Sequence, residues 1–143
     1  MNDEQHAYWE SYIRHCADLF GLRDWRIELS REYTKNDDAC ATCHVWENQK
    51  GATIFLSDWF MKNYNAREQR ETVLHELFHC HDYRMRTLVN GYNESQEQDG
   101  KAKWFTDLFR DEMERMCDAV TVPMALLFPF PENRPDPLPV END

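Results

Sequence analysis

Two histidines and a glutamate with metal-binding spacing lie in the middle of the chain, in the run His75-Glu76-Leu77-Phe78-His79. On a helix, residues four apart lie about 40° apart around the axis, so both imidazoles can reach one ion. This H-E-x-x-H spacing is typical of zinc hydrolases, in which the ion keeps a coordination position for water. The pattern predicts Zn²⁺ held by His75 and His79, with Glu76 as the general base that takes a proton from that water.

A third protein ligand is expected on the last predicted helix, whose acidic candidates are Glu112, Glu114 and Asp118. Glu114 and Asp118 are four residues apart and share a helical face. Glu114 can therefore bind the zinc while Asp118 accepts a hydrogen bond from the distal nitrogen of a ligand histidine. Glu112 lies on another side of the helix and remains the alternative ligand. We expect one Zn²⁺ per chain.

Other polar residues follow the motif on the same predicted helix. Tyr83 and Arg86 lie near its zinc-binding face, where they could polarise a carbonyl group or hold a substrate carboxylate. His81 is about 160° around the helix from His79, so we do not expect it to share the ion. Asp82 is expected either behind the ligands or in solvent.

Hydrophobic periodicity predicts the elements that must position these groups. A helical apolar stripe runs from an N-cap at Asp3 to about Phe20. Short extended runs then predict three strands, at Trp25–Leu29, Ala39–Trp46 and Ala52–Ser57.

The motif helix is predicted to start at a capping box formed by Asn65 and Glu68 and to end near Asn90-Gly91. Its buried face is expected to be a wide apolar arc of Val73, Leu74, Leu77, Phe78, Met85 and Leu88. A polar loop is expected over Asn93–Lys101, before a last helix from Ala102 to about Val122, where Pro123 kinks or ends it.

These elements predict an α+β fold. In it, a small, mostly antiparallel three-stranded sheet packs on the N-terminal helix, the motif helix and the C-terminal ligand helix. We expect a single domain over residues 1–128, followed by a Pro-rich, disordered tail over residues 129–143.

Charge and hydropathy restrict the partners. Sixteen Lys and Arg against 27 Asp and Glu give a net charge of −11, which argues against binding nucleic acid or anionic membranes. The first residues lack the pattern of a signal peptide, and no run approaches the roughly 18 apolar residues of a membrane span. We therefore expect a cytoplasmic protein whose partner is a peptide or protein substrate.

Cys40-Ala41-Thr42-Cys43-His44 matches the C-x-x-C-H pattern of covalent haem attachment. The segment is predicted to be extended, and Cys40 and Cys43 would then face opposite sides of the strand. Packing is therefore favoured over haem or a second metal, and the five cysteines are expected to be free thiols.

The predicted strands and helices, with the H-E-x-x-H motif and the later Glu114 and Asp118, resemble in their order the gluzincin zinc metallopeptidases in their smallest form. The likeness is strongest to the compact minigluzincins of bacteria and phages and looser to SprT-like proteins. The matching blocks are Trp25–Ile27, Ala52–Ser57, Val73–His81 and Glu114–Asp118.

The resemblance implies a peptidase in the cytoplasm of a bacterium or a phage-infected cell. It assigns the third zinc ligand to Glu114, the carboxylate behind a histidine to Asp118, and the rim of the substrate cleft to Ala52–Ser57. Substrate backbone could add there as an extra strand. The alternative is a catalytically weak or inactive zinc-binding protein of the same fold that acts by binding a host or replication protein.

Overall fold

A computed structural model of the chain describes residues 1–36, 38–46, 49–95 and 100–132. The elements are α1 (Asp3–Leu19), β1 (Arg26–Leu29), β2 (Ala41–Val45), β3 (Gly51–Leu56), α2 (Asp58–Asn63), α3 (Ala66–Ser95), α4 (Gly100–Met124) and a 3₁₀ turn (Ala125–Leu127). The predicted α+β class is confirmed, and α2 is an additional short helix. None of the helices in these ranges is both long and apolar enough to cross a lipid bilayer.

The sheet has the strand order β1-β3-β2. β1 pairs with β3 in parallel, and β2 pairs with β3 in the longer, antiparallel ladder. Since β3 is bonded on both sides, it has no free edge. The expectation that Ala52–Ser57 forms the rim of the cleft is therefore wrong.

The core lies between α1, the sheet and the first half of α3. Trp9 on α1 is almost fully buried and meets the ring of Phe60 at 4.9 Å between centroids. The N-cap of α1 is Asn2 rather than Asp3, because Asn2 and Gln5 form the reciprocal hydrogen bonds of a capping box. This cap starts the helix one residue earlier than predicted, at Asp3.

α3 begins at the predicted capping box, in which Asn65 N donates to Glu68 Oε2 at 2.9 Å. It continues through Gly91 to Ser95, beyond its predicted end. Thirty residues span about 45 Å, whereas a strand of six residues spans about 20 Å, so the second half of α3 extends past the sheet. Met85 and Leu88 are consequently 52% and 70% exposed, and only the first half of the predicted apolar arc is core.

α4 runs antiparallel to α3, since Asp118 meets His75 near one end of the pair and Phe105 meets Tyr92 near the other. Pro123 lies inside the last turn of α4. The two helices leave only residues 96–99 of the predicted Asn93–Lys101 loop, and these lie outside the described ranges.

After the 3₁₀ turn the chain packs along the surface of α1 and α3 as far as Glu132. Phe128 is buried, and the Tyr12 hydroxyl donates to the carbonyl of Pro129 at 2.9 Å. Tyr8 donates to the carbonyl of Glu132 at 2.8 Å. Residues 133–143 of the predicted tail lie outside the described ranges.

Candidate metal centre

The H-E-x-x-H residues face one another on α3. Ligand atoms of His75, Glu76 and His79 all lie within 4.8 Å of one another. The two imidazoles stand edge to face, with ring centroids 4.9 Å apart. Because they occupy successive turns of a helix whose other side is buried in the core, the backbone positions from which the two rings project are fixed.

α4 adds a carboxylate on the open side of the histidines. Glu114 Oε2 lies 3.1 Å from His75 Nε2 and 4.0 Å from His79 Nε2. Glu112 is exposed, and its Oε1 accepts a hydrogen bond from Arg115 at 2.7 Å. Of the two glutamates considered as the third ligand, Glu114 is therefore the one that the fold brings to the histidines.

Each histidine also has a carboxylate behind it. Asp118 Oδ1 lies 2.8 Å from His75 Nδ1, as the sequence predicts, and Asp82 Oδ2 lies 3.5 Å from His79 Nδ1. Such partners orient the ring and leave Nε2 directed at a shared ion. Asp82 is only 6% exposed, so it stands behind the ligands rather than in solvent. Its position three residues after His79 was the signal for this role.

Charges in the site are strongly coupled. Burial of His75 lowers its pKa, but hydrogen bonds to Cys117 and Glu114 outweigh that effect and raise the pKa to about 11. The hydrogen bond from His75, helped by Arg86, lowers the pKa of Glu114 to about 2 although burial opposes it. An ionised carboxylate only accepts hydrogen bonds, so in the metal-free protein a protonated His75 would donate from Nδ1 to Asp118 and from Nε2 to Glu114.

These donors suit a metal cation. Two imidazole nitrogens and one carboxylate oxygen form a ligand set of catalytic zinc, and a cation among them would replace the proton between His75 and Glu114. Among the described residues, buried His79 Nδ1 and Asp82 Oδ1 make no hydrogen bond. Such polar atoms are costly to bury without partners. A metal at His79 Nε2 would leave the ring proton on Nδ1, directed at Asp82 Oδ2 3.5 Å away.

Glu76 is as buried as Asp82, with 6% exposure. Burial raises its pKa, while His79 and His75 act in the opposite direction. A carboxylate with a raised pKa accepts and returns a proton more readily near neutral pH than an ordinary one does.

Arg86 and Tyr83, the two sequence candidates for contacts with substrate, have different surroundings. Arg86 donates from Nε to Asp82 Oδ2 at 2.7 Å and from Nη1 to Glu114 Oε1 at 2.9 Å. Tyr83 lines the same cavity as the histidines, and its hydroxyl accepts a hydrogen bond from Arg84. Arg86 therefore binds the carboxylates of the site itself. His81 points elsewhere, to the carbonyl of Phe20.

The site opens into a cavity of about 950 Å³, which is large enough for a small ligand or a peptide segment. β2 forms one wall, and α3 and α4 form the other. Among the described residues β2 pairs with β3 alone, along one edge. Its other edge faces this cavity.

The C-x-x-C-H run contributes to the wall through β2. Cys40 Sγ lies 2.7 Å from the Tyr64 hydroxyl, while a hydrogen bond with Cys80, together with burial, raises the pKa of Cys43. The two thiols therefore have separate partners, and the cysteines are free.

The assignment of the candidate metal centre rests on the geometry of its residues. No family model, curated protein or solved structure matches the chain. The likeness to gluzincin peptidases accordingly stays a prediction from sequence motifs.

Proposed function

We propose that this protein is a zinc-dependent metallopeptidase. The observation that carries the proposal is the convergence of His75, His79 and Glu114 from two helices at the wall of an open cavity, with a carboxylate behind each histidine. These three residues would hold the Zn²⁺. When bound, zinc would lower the pKa of a coordinated water towards about 7 and polarise the scissile carbonyl.

Glu76 is the proposed general base. It lies within 4.8 Å of the histidine ligand atoms, and its buried carboxylate is positioned to take a proton from the attacking water. The same carboxyl group would then return that proton to the departing amine, so that Glu76 is regenerated at the end of each turnover.

The free edge of β2 is the proposed docking site for the substrate backbone. Trp46 N donates to Gly51 O, and Ser57 N donates to Cys40 O. Because bonded residues alternate along an antiparallel strand, the backbone groups of Ala41, Cys43 and Val45 face the cavity. An extended peptide could add to this edge as a fourth strand, with its carbonyl groups near the histidines.

A Glu76→Gln variant tests the reaction. It keeps the size of the side chain and removes the base, so we expect zinc to stay bound while peptide cleavage falls by about 10²- to 10⁴-fold. Activity would be followed by mass spectrometry on a mixture of unstructured peptides, and zinc by elemental analysis. Glu112→Gln on the exposed face of α4 is the matched control and should change neither quantity.

The alternative function, binding of a host or replication protein by a catalytically weak zinc protein, has one observation in its favour. The far half of the α3–α4 hairpin exposes several large apolar side chains, which are Met85, Leu88, Tyr92, Trp104, Phe105 and Leu108. Exposed apolar surface of this kind is typical of protein-binding sites. A Glu76→Gln variant that keeps full biological function would favour this alternative over peptidase activity.

A further inference from the structure

Arg86 links the two halves of the candidate centre. Its Nε donates to Asp82, the carboxylate behind His79, and its Nη1 donates to Glu114 on the other helix. Asp82 is three residues after His79, and Arg86 is four after Asp82, so these groups follow one face of α3. One guanidinium thus joins Asp82 of α3 to Glu114 of α4.

The contact with Glu114 uses one carboxylate oxygen and leaves the other free. Arg86 binds Oε1, while Oε2 faces Nε2 of both His75 and His79. A glutamate held in this way presents a single oxygen to an ion. Coordination by Oε1 as well would compete with the hydrogen bond from Arg86 for that oxygen.

The hydrogen bonds of Arg86 tie it to two carboxylates of the candidate centre. The guanidinium donates from Nε and Nη1 to the site's own carboxylates. Within the described ranges its Nη2 is buried without a partner. Its side chain is 23% exposed, and two nearby carboxylates balance its charge. A guanidinium held in this way is placed to orient ligands.

We propose that Arg86 is a positioning residue that fixes Glu114 as a one-oxygen ligand and so keeps a coordination position of the metal free for water. This role rests on the proposed zinc site. It acts through Glu114 and Asp82, and it requires the planar fork of arginine, because a single ammonium group cannot reproduce both contacts in the same geometry.

The test compares metal binding by the full-length wild-type, Arg86→Gln and Arg86→Lys proteins. Zinc affinity would be measured by competition with a chromophoric chelator, and coordination by the visible spectrum of the Co²⁺-loaded chains. We expect Arg86→Gln to weaken zinc binding by about 10- to 100-fold and Arg86→Lys to restore only part of that loss. Both variants should show a Co²⁺ spectrum of higher coordination number.

A double-mutant cycle separates positioning from general stability. In a Glu114→Gln background, Arg86→Gln should cause little further loss of affinity, because the carboxylate on which Arg86 acts is already gone. Arg84→Gln is the matched control, since Arg84 is an exposed neighbour on the same helix whose hydrogen bond and cation–π contact are both to Tyr83. It should leave affinity and spectrum unchanged.

The outcomes are distinct. A wild-type chain that binds no zinc would refute the proposed function and this role with it. If the wild type binds zinc and Arg86→Gln changes neither the affinity nor the spectrum, the role of Arg86 alone is overturned. The same holds if Arg86→Gln lowers the affinity equally in the wild-type and Glu114→Gln backgrounds. Where Arg86→Gln fails to fold by circular dichroism, Arg86→Lys carries the same comparison.

Discussion

At the scale of single residues, the site is organised around carboxylates that lie against the nitrogen atoms of His75, His79 and Arg86. His75 has Asp118 at Nδ1 and Glu114 at Nε2, and His79 has Asp82 at Nδ1 with Glu114 further from Nε2. Paired charges of this kind stabilise one another only while both partners stay ionised. The stability of the metal-free protein should therefore depend on pH through the ion pair of His75 and Glu114.

The pH profile of metal-free stability has two expected slopes. The pKa of Glu114 falls from 4.5 to about 2 on folding, so its stabilisation is complete above pH 4.5 and is lost towards pH 2. The pKa of His75 rises from 6.5 to about 11, so its stabilisation is complete below pH 6.5 and is lost towards pH 11. Urea unfolding of chelator-treated protein should thus find the pair's largest contribution between pH 4.5 and 6.5.

Glu114→Gln is the variant that tests this assignment. Removing the carboxylate should abolish the acid slope and weaken the alkaline one, because His75 loses one of the two hydrogen-bonding partners that raise its pKa. Glu112→Gln leaves the pair intact and should reproduce the wild-type profile. An unchanged profile in Glu114→Gln would show that other groups cause the pH dependence.

At the scale of elements, β2 carries the one prediction that concerns substrate directly. A proline at Val45 would remove a backbone N–H from the cavity-facing edge while sparing the ladder to β3. Val45→Pro should therefore lower peptide cleavage by 10-fold or more, about the effect of one or two lost hydrogen bonds, with zinc content unchanged. Val45→Ala changes the side chain alone and is the control. Equal activity in the two variants would exclude this edge as the docking site.

The two halves of α3 should respond differently to the same substitution. Leu74 is fully buried beneath the motif, and Leu88 is 70% exposed beyond the sheet. Leu74→Ala should lower the free energy of unfolding by about 2–5 kcal/mol, since it leaves a cavity in the core. Leu88→Ala should change it by less than about 0.5 kcal/mol. Urea unfolding checks both, and comparable losses would mean that the far half of α3 is covered in solution.

At the scale of the whole molecule, the segment after the last helix joins distant parts of the chain. Arg70 is buried, donates to the carbonyl of Phe128 and places its guanidinium 4.0 Å from the ring centroid of Phe130. With the hydrogen bonds from Tyr12 and Tyr8, this segment connects α1 and α3 at a distance from the metal site.

Removing that segment should destabilise the protein. Truncation after Phe128 deletes the cation–π contact and both tyrosine hydrogen bonds, which together are worth about 1–3 kcal/mol. Truncation after Glu132 keeps these contacts and serves as the control. Thermal unfolding should show a lower melting temperature only for the shorter chain, and equal melting temperatures would mean that the segment contributes nothing to stability.

Some of the candidate centre was predictable from spacing. His75, Glu76 and His79 were predictable because they lie within two turns of one helix, where backbone geometry sets their relative positions. The choice of Glu114 with Asp118 also followed from a shared helical face. Asp82 and Arg86 were harder to interpret, because burial and a partner on another helix define their roles, and neither quantity is local in sequence.

The sequence by itself determined the α+β class, the order of the main elements and the residues that stand together on each helix, because periodicity and capping act over a few neighbouring residues. Only the tertiary structure decided which strand keeps a free edge, how far α3 extends past the sheet, and that Arg86 binds Glu114. These depend on how separate elements meet in space. The β2–β3 hairpin could have paired with β1 through either strand, and only the packed core selects β3.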